Sequence, residues 1–288
     1  MIEVVVDEVL KKLEKTTNEE IKAADDYTDD DTGLLMCGQC HTKKQKKISF
    51  LGEERIVGCL CRCVVEKLEK EREEYRVKEE LLNIQKMKSA GLQDRTFYNY
   101  TFDRCHASQE NAIYAKRYVE HFSEMVQTGQ GLLFWGNVGT GKTFLAGCIA
   151  NALLEQKVPV LMTSFPKILN ALGGLYSSER NEYLASLNRY TLLVIDDMGI
   201  ERESQYTIET IYTVIDERYK SGKSFIITTN IQLDVLKNPR DVEHARIYDR
   251  IMERCMPVFF GGKNYRSELG QGNRYTAKKI LTGVKDTV

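Results

Sequence analysis

A chain of 288 residues can bury one large core or two smaller ones. Its 42% hydrophobic and 29% charged residues are ordinary for a soluble globular protein, and a formal net charge of −1 excludes a global field that draws it to nucleic acid or membrane. No apolar run approaches the ~20 residues of a membrane span and no signal-peptide pattern opens the chain, so a cytoplasmic location without a membrane partner is expected. In that compartment thiols stay reduced. The cysteines clustered at Cys37, Cys40, Cys59, Cys61 and Cys63 therefore read as metal ligands, and the scattered Cys105, Cys148 and Cys255 as small core residues.

Residues 1–36 begin with an amphipathic helical stripe over 1–17 (Ile2, Val5, Val6, Val9, Leu10, Leu13). An acidic stretch from Asn18 to Asp31 follows and is expected to be a mobile linker, because it has nothing to bury. Residues 37–63 form a zinc-binding region. Cys37 and Cys40 supply half of a tetrahedral thiolate site, and two of Cys59, Cys61 and Cys63 close it. His41, adjacent to Cys40, is read as a bystander. Ile48–Leu51 and Arg55–Val57 predict a small hairpin, with the basic run Lys43–Lys47 at its tip or against a phosphate backbone. Residues 64–90 are a charge-dense helix without Pro; Leu68, Tyr75 and Leu82 recur every seven, too thin a seam for a coiled coil.

Residues 91–288 change character. Short apolar runs at Gly131–Trp135, Pro159–Thr163, Thr191–Ile195 and Ser224–Thr228 alternate with helical segments at Thr143–Gln156, Phe165–Leu172 and Ile208–Lys220. That alternation predicts an α/β domain with a parallel sheet covered by helices on both faces.

Between the first strand and the first helix stands Gly136-Asn137-Val138-Gly139-Thr140-Gly141-Lys142-Thr143, a complete G-x-x-x-x-G-K-[ST] match. Its glycines let backbone N–H groups face phosphate oxygens, and the helix N-terminus adds positive potential there. Lys142 is expected at the β- and γ-phosphates of ATP and Thr143 on Mg²⁺, with Phe144 completing the cradle. Leu192–Asp197 ends an apolar strand in two carboxylates. Asp196 is expected on Mg²⁺, and Asp197 to orient or deprotonate the attacking water. Asn230, at the end of the next strand, has the position of a residue that contacts the γ-phosphate or that water.

At this point the chain resembles the bacterial and phage helicase loaders of the DnaC/DnaI type, in the AAA+ superfamily. The segments that carry the resemblance are 97–102 (FYNYTF), the P-loop, 192–199 (LLVIDDMG), 227–230 (ITTN), 245–251 (ARIYDRI) and 264–267 (NYRS). The cysteine region resembles the zinc-binding region that precedes this ATPase in many loaders, and Cys61 and Cys63 best match its C-x-C, with Cys59 as substitute. The resemblance implies that Arg250 is an arginine finger for a neighbouring subunit, aided by Arg246, and that Arg266 touches nucleotide in cis. It also implies a replicative helicase hexamer as partner, self-association through the ATPase domain, and single-stranded DNA contact by Gly173–Arg189, where Tyr176, Arg180 and Arg189 offer stacking and charge. Phe97 and Tyr100 are expected either near the adenine or as a hydrophobic staple.

The expected activity is slow ATP hydrolysis that serves helicase loading in DNA replication. The nearest alternative is a transposition-accessory ATPase of the IstB type. A P-loop small-molecule kinase leaves ITTN, YDRI and NYRS unexplained, and a zinc-dependent nucleic-acid module would hold ATP only structurally.

Overall fold

The computed structural model describes residues 23–50, 52–105, 109–199 and 204–282, so the predicted helix over 1–17 lies outside the described residues. The chain divides into two compact units at Leu81/Leu82, within helix α1 (Arg62–Gly91).

The first unit is built from two small antiparallel pairs, β1 (Tyr27–Thr28) with β2 (Leu35–Met36) and β3 (Gln45–Phe50) with β4 (Glu53–Gly58). The hairpin is the expected one, but two expectations around it are corrected. From residue 23 onward the acidic stretch is folded into this unit, not left as a linker. The Asp26 carboxylate, 2% exposed, pairs with Lys44 and accepts from the N–H groups of Ala23 at 2.7 Å and Gly38 at 3.2 Å. An acidic run has something to bury when it neutralises a buried amine. The basic run, in turn, lies at the base of the hairpin and not at its tip, and Lys44 within it is buried.

The second unit holds a five-stranded parallel sheet. Its strands are β5 (Gly131–Gly136), β6 (Val160–Ser164), β7 (Leu192–Met198), β8 (Phe225–Thr229) and β9 (Cys255–Phe260), in the order β6-β7-β8-β5-β9. Alternate residues feed two cores. Leu132, Phe134, Met162, Val194 and Ile226 pack with Leu145, Ile149 and Leu153 of α4 (Lys142–Glu155) and Tyr118 of α2 (Gln109–Glu120). Leu133, Leu161, Ile195 and Ile227 pack with Phe165 and Ile168 of α5 (Phe165–Gly173), Ile211 and Ile215 of α7 (Gln205–Lys220), and Ile247 and Ile251 of α9 (Val242–Arg254). The sheet covered on both faces is therefore as the sequence predicts. The short α3 (Phe122–Thr128) precedes β5, α6 (Ser177–Leu187) precedes β7, and α8 (Leu233–Lys237) and α10 (Tyr265–Thr282) complete the helices described.

Strand β9 is an element of the sheet that the sequence pattern does not reveal. It follows α9 without a turn, contains Pro257, and leaves Met256 and Phe259 half exposed. Proline withdraws one ladder donor, which an edge strand tolerates, and β9 pairs only with β5.

Arg218 is fully buried at the opposite end of the sheet from the P-loop turn, where it bonds to carbonyls just before β7 and β8. Its guanidinium donates to the carbonyls of Tyr190 at 2.9 Å, Thr191 at 2.8 Å and Ser224 at 2.6 Å. Arg218→Met should cost about 3–5 kcal/mol in denaturant unfolding, because three buried acceptors lose their donor. A second expectation concerns pH. The hydrogen bond from Lys44, chiefly, holds the Asp26 carboxyl below its ordinary 3.8, against the opposing effect of burial. A lowered folded-state value stabilises above the unfolded value and is lost as pH falls through the folded one. Unfolding of wild type and Asp26→Asn should thus differ near neutral pH, begin to converge as pH falls below about 3.9, and meet only below the lowered folded-state value.

Candidate functional site

The apolar β5 runs between β8 and β9 and delivers the chain to Gly136, where φ turns to 129°. A Cβ there would stand 2.2 Å from the Phe260 carbonyl oxygen, so only glycine fits the exit of this strand. Gly139 and Gly141 also have positive φ, at 80° and 95°, which bends the loop back before α4 begins at Lys142. The start of α10 closes over this loop. The N–H of Tyr265 donates to the Gly139 carbonyl at 3.0 Å, and Asn264 packs where a Gly139 side chain would be.

Lys142 is buried, and its Nζ donates to the Gly136 carbonyl at 2.9 Å, the Asn137 carbonyl at 2.7 Å and Asn230 Oδ1 at 2.8 Å. Burial lowers its pKa, with the carboxylates of Asp197 and Asp196 opposing. Asp196 is buried as well, and burial raises its pKa against the Thr228 hydroxyl bond. Thr228 is a residue whose role sequence reasoning missed. Its hydroxyl donates to Asp196 Oδ1 at 2.6 Å and accepts from the Asp197 N–H at 2.9 Å, so one side chain fixes the Asp196 carboxylate and the Asp197 backbone. Asp197 has φ 54°, and the β7–β8 register shifts between Ile195 and Met198. A bulge and a left-handed residue re-aim a side chain, here into the cavity, at a cost of about 1–3 kcal/mol.

That cavity, about 360 Å³, is lined by Val138–Phe144, Asp197, Asn230, Arg266, Tyr265, Tyr100 and Arg104. The structure thus gathers Gly139, Thr140, Gly141, Lys142, Thr143, Phe144, Asp197, Asn230 and Arg266 around one space, with Asp196 buried beneath it. Phe97 and Tyr100 divide the two expected roles. Phe97 is in the core, whereas Tyr100 faces the cavity and stacks on Phe144 with ring centroids 4.7 Å apart. Two unforeseen residues hold Tyr100. Asn151 Nδ2 donates to the carbonyls of Phe97 at 2.7 Å and Tyr100 at 3.1 Å, and Gly147 leaves room for the ring, whose nearest atom would be 2.5 Å from a Cβ. A buried amide on a helix carries no sequence signal.

Arg250 is not at this cavity. It lies on α9 against Asp216 and Tyr212 of α7, while Arg246 is exposed. Tyr176 and Arg189, at the two ends of α6, are exposed; Arg180 lies over the Tyr206 ring and donates to the Leu175 carbonyl at 2.9 Å.

In the first unit the ligand atoms of Cys37, Cys40, Cys61 and Cys63 all lie within 4.8 Å of one another. Four thiols this close suit a tetrahedral thiolate site, since their anions would repel without a cation among them. Cys59 is apart, its Sγ against the Lys43 carbonyl at 3.4 Å, and His41 Nδ1 faces the Tyr27 hydroxyl at 3.2 Å.

A parallel sheet with a P-loop after β5, two acidic residues at the end of β7 and a polar residue after β8, the strand between them, defines a P-loop ATPase core of the AAA+ type. The chain belongs to the family of IstB-like ATP binding proteins, whose model matches residues 45–271. It is 28% identical over 181 residues to the replicative helicase loader DnaC of Escherichia coli strain K12, covering 62% of this chain and 71% of the relative. It is 30% identical over 186 residues to the DnaC loader of Buchnera aphidicola subsp. Schizaphis graminum, covering 62% and 72%. Among solved structures, a DnaI crystal structure superposes with a TM-score of 0.51 at 24% identity, over 62% of this chain and 98% of that one, a likeness of fold. Among the described residues no helix is long and apolar enough to cross a membrane.

The cysteine geometry sets a measurable expectation. Native mass spectrometry should find one zinc ion per chain. Cys37→Ser and Cys61→Ser should lose it and Cys59→Ser keep it, and a strong chelator should unfold the first unit, whose small core leans on the metal.

Proposed function

We propose that this protein is an ATP-dependent helicase loader of DNA replication, which binds the replicative helicase hexamer and places it on single-stranded DNA under ATP control. The observation that carries the reading is the pairing of an ATPase core related to named replicative helicase loaders with a preceding four-cysteine cluster in the same chain. The domain division follows: 1–36 and 37–63 serve the helicase, 64–90 connects, and 91–288 is the ATPase.

Within the ATPase each residue has a chemical task. The loop 136–143 offers backbone N–H groups to the phosphates, and Lys142, released from the loop carbonyls, neutralises the β- and γ-phosphates. Thr143 and Asp196 would hold Mg²⁺, which would supply positive charge against the phosphates when bound. Thr228 keeps the Asp196 carboxylate turned to that task and fixes the Asp197 backbone beside it. Asp197 aligns a water for in-line attack and Asn230 steadies it. Arg266 contacts the nucleotide in cis, and Tyr100 with Phe144 forms a wall for the base. Arg250 completes the site of a neighbouring subunit. Because fingers supplied in trans are worth about 10³–10⁵ in rate, an isolated chain turns over slowly. Tyr176, Arg180 and Arg189 contact single-stranded DNA, and zinc on Cys37, Cys40, Cys61 and Cys63 is structural. A transposition-accessory role is the second reading, supported by the match to the IstB-like ATP binding proteins.

The test is the mass of the complex formed with the replicative helicase of the same cell, in ATP and in ADP. Wild type should form a defined complex that changes with nucleotide, while Lys142→Ala and Arg250→Ala should lose the nucleotide response. No complex in either nucleotide, with ATP hydrolysis stimulated by duplex DNA instead, would replace the loader reading with the transposition one.

A further inference from the structure

Arg250 should be free to project if it serves a neighbouring subunit, yet both of its terminal nitrogens are occupied within its own chain. Nη1 donates to the Arg246 carbonyl at 2.8 Å, one turn back on α9. Nη2 stands 2.8 Å from Asp216 Oδ1 and donates to the Tyr212 hydroxyl at 3.2 Å. The guanidinium carbon lies 5.0 Å from the centroid of the Tyr212 ring and 5.7 Å from that of Tyr219. Nε and Asp216 Oδ1 are buried and neither makes a hydrogen bond, so Asp216 and Arg250 meet as an ion pair. The Asp216 side chain is 10% exposed and that of Arg250 24%, so the acid is largely withdrawn from water and the arginine keeps an exposed side.

A guanidinium grips a phosphate by presenting two N–H groups side by side. In the arrangement above no such edge is open, because Asp216 and Tyr212 hold one terminal nitrogen and the helix carbonyl holds the other. Release does not strand the acid. Lys220 Nζ already sits 2.7 Å from Asp216 Oδ2, so the carboxylate keeps a cation when Arg250 leaves. Tyr219 is held independently of Arg250. Its hydroxyl donates to both carboxylate oxygens of Glu253, at 2.9 and 2.8 Å, and Arg254 lies 4.8 Å over its ring. The pocket therefore survives the arginine's departure, which lets the side chain move between two positions while the helices stay packed.

We propose that Asp216, with Tyr212, is a positioning residue that parks Arg250 on its own subunit, so that the arginine reaches a neighbour's nucleotide only when subunit contact competes it away. This rests on the reading of Arg250 as a finger in trans. A parked fraction lowers the apparent strength of the subunit-to-subunit contact in proportion to the population withheld, without touching the affinity of a single chain for ATP.

The experiment measures ATP hydrolysis by the full chain across a range of protein concentrations, with nucleotide affinity of dilute protein and thermal unfolding recorded alongside. Asp216→Asn preserves shape and removes the charge. It should reach half-maximal turnover at a protein concentration lower by on the order of fivefold, with unchanged nucleotide affinity. Asp216→Glu should restore the wild-type curve at least in part, and Tyr212→Phe should shift it in the same direction as Asp216→Asn by a smaller amount. The Tyr212 variant carries the test if Asp216→Asn fails to fold. An unchanged or weakened concentration dependence in a folded Asp216→Asn protein, with Arg250→Ala inactive, overturns the parking role and leaves the finger intact. Wild-type turnover by Arg250→Ala overturns the finger reading itself, and the parking role with it.

Discussion

Phosphate recognition by a P-loop requires that a strand end at one defined point and a helix begin a few residues later with its N–H groups open. In this protein that requirement rests on the burial of β5. It has β8 on one side and β9 on the other, and its alternate side chains enter two separate cores. A strand tied on four sides cannot slip, because a one-residue slip would exchange the two faces. Gly136 then leaves the sheet under the Phe260 carbonyl, in a space too small for any side chain. Everything at the site is referred to this exit: the loop, the first turn of α4, and the start of α10, which meets the loop through Tyr265 and Asn264.

The electrostatics of the cavity follow from the same burial. Lys142 is pushed toward its neutral form and Asp196 toward its protonated form, each by loss of water. A buried amine and a buried carboxyl in one site are compensated most fully by a polyanion together with a cation. Thr228 is the small device that makes this geometry specific, since its hydroxyl serves one aspartate as donor and the other's backbone as acceptor. The left-handed Asp197 fits the same picture, a local strain held by the surrounding sheet at the place where a side chain must face the reacting group.

The N-terminal unit works by different physics. Its strands are short, its apolar core is slight, and its order depends on polar links such as Asp26 to Lys44 and on four sulfurs drawn together. The cysteine spacing displayed this arrangement in advance, because thiolate sites impose local spacing. The Asp26 pair was not visible: an acidic run and a basic run each look like solvated surface until the fold places one member of each in the same buried spot.

Residue order alone determined the P-loop, the acidic ends of the core strand, the parallel α/β class and the cysteine pairs, all of which depend on neighbours in sequence or on strict periodicity. It did not determine β9, whose proline and half-exposed pattern acquire meaning only beside β5. It did not assign Asn151 or Gly147, which act on Tyr100 from the neighbouring helix. Among Cys59, Cys61 and Cys63 the spacing left the choice open and the resemblance favoured Cys61 and Cys63; the folded chain brings those two to Cys37 and Cys40, since the turn at 38–40 and the start of α1 meet there. The same holds for Arg250, whose sequence motif says what it resembles while its partners on α7 decide where it rests. Contacts between residues far apart in the chain are set by packing, and packing is a property of the whole sheet and its helices.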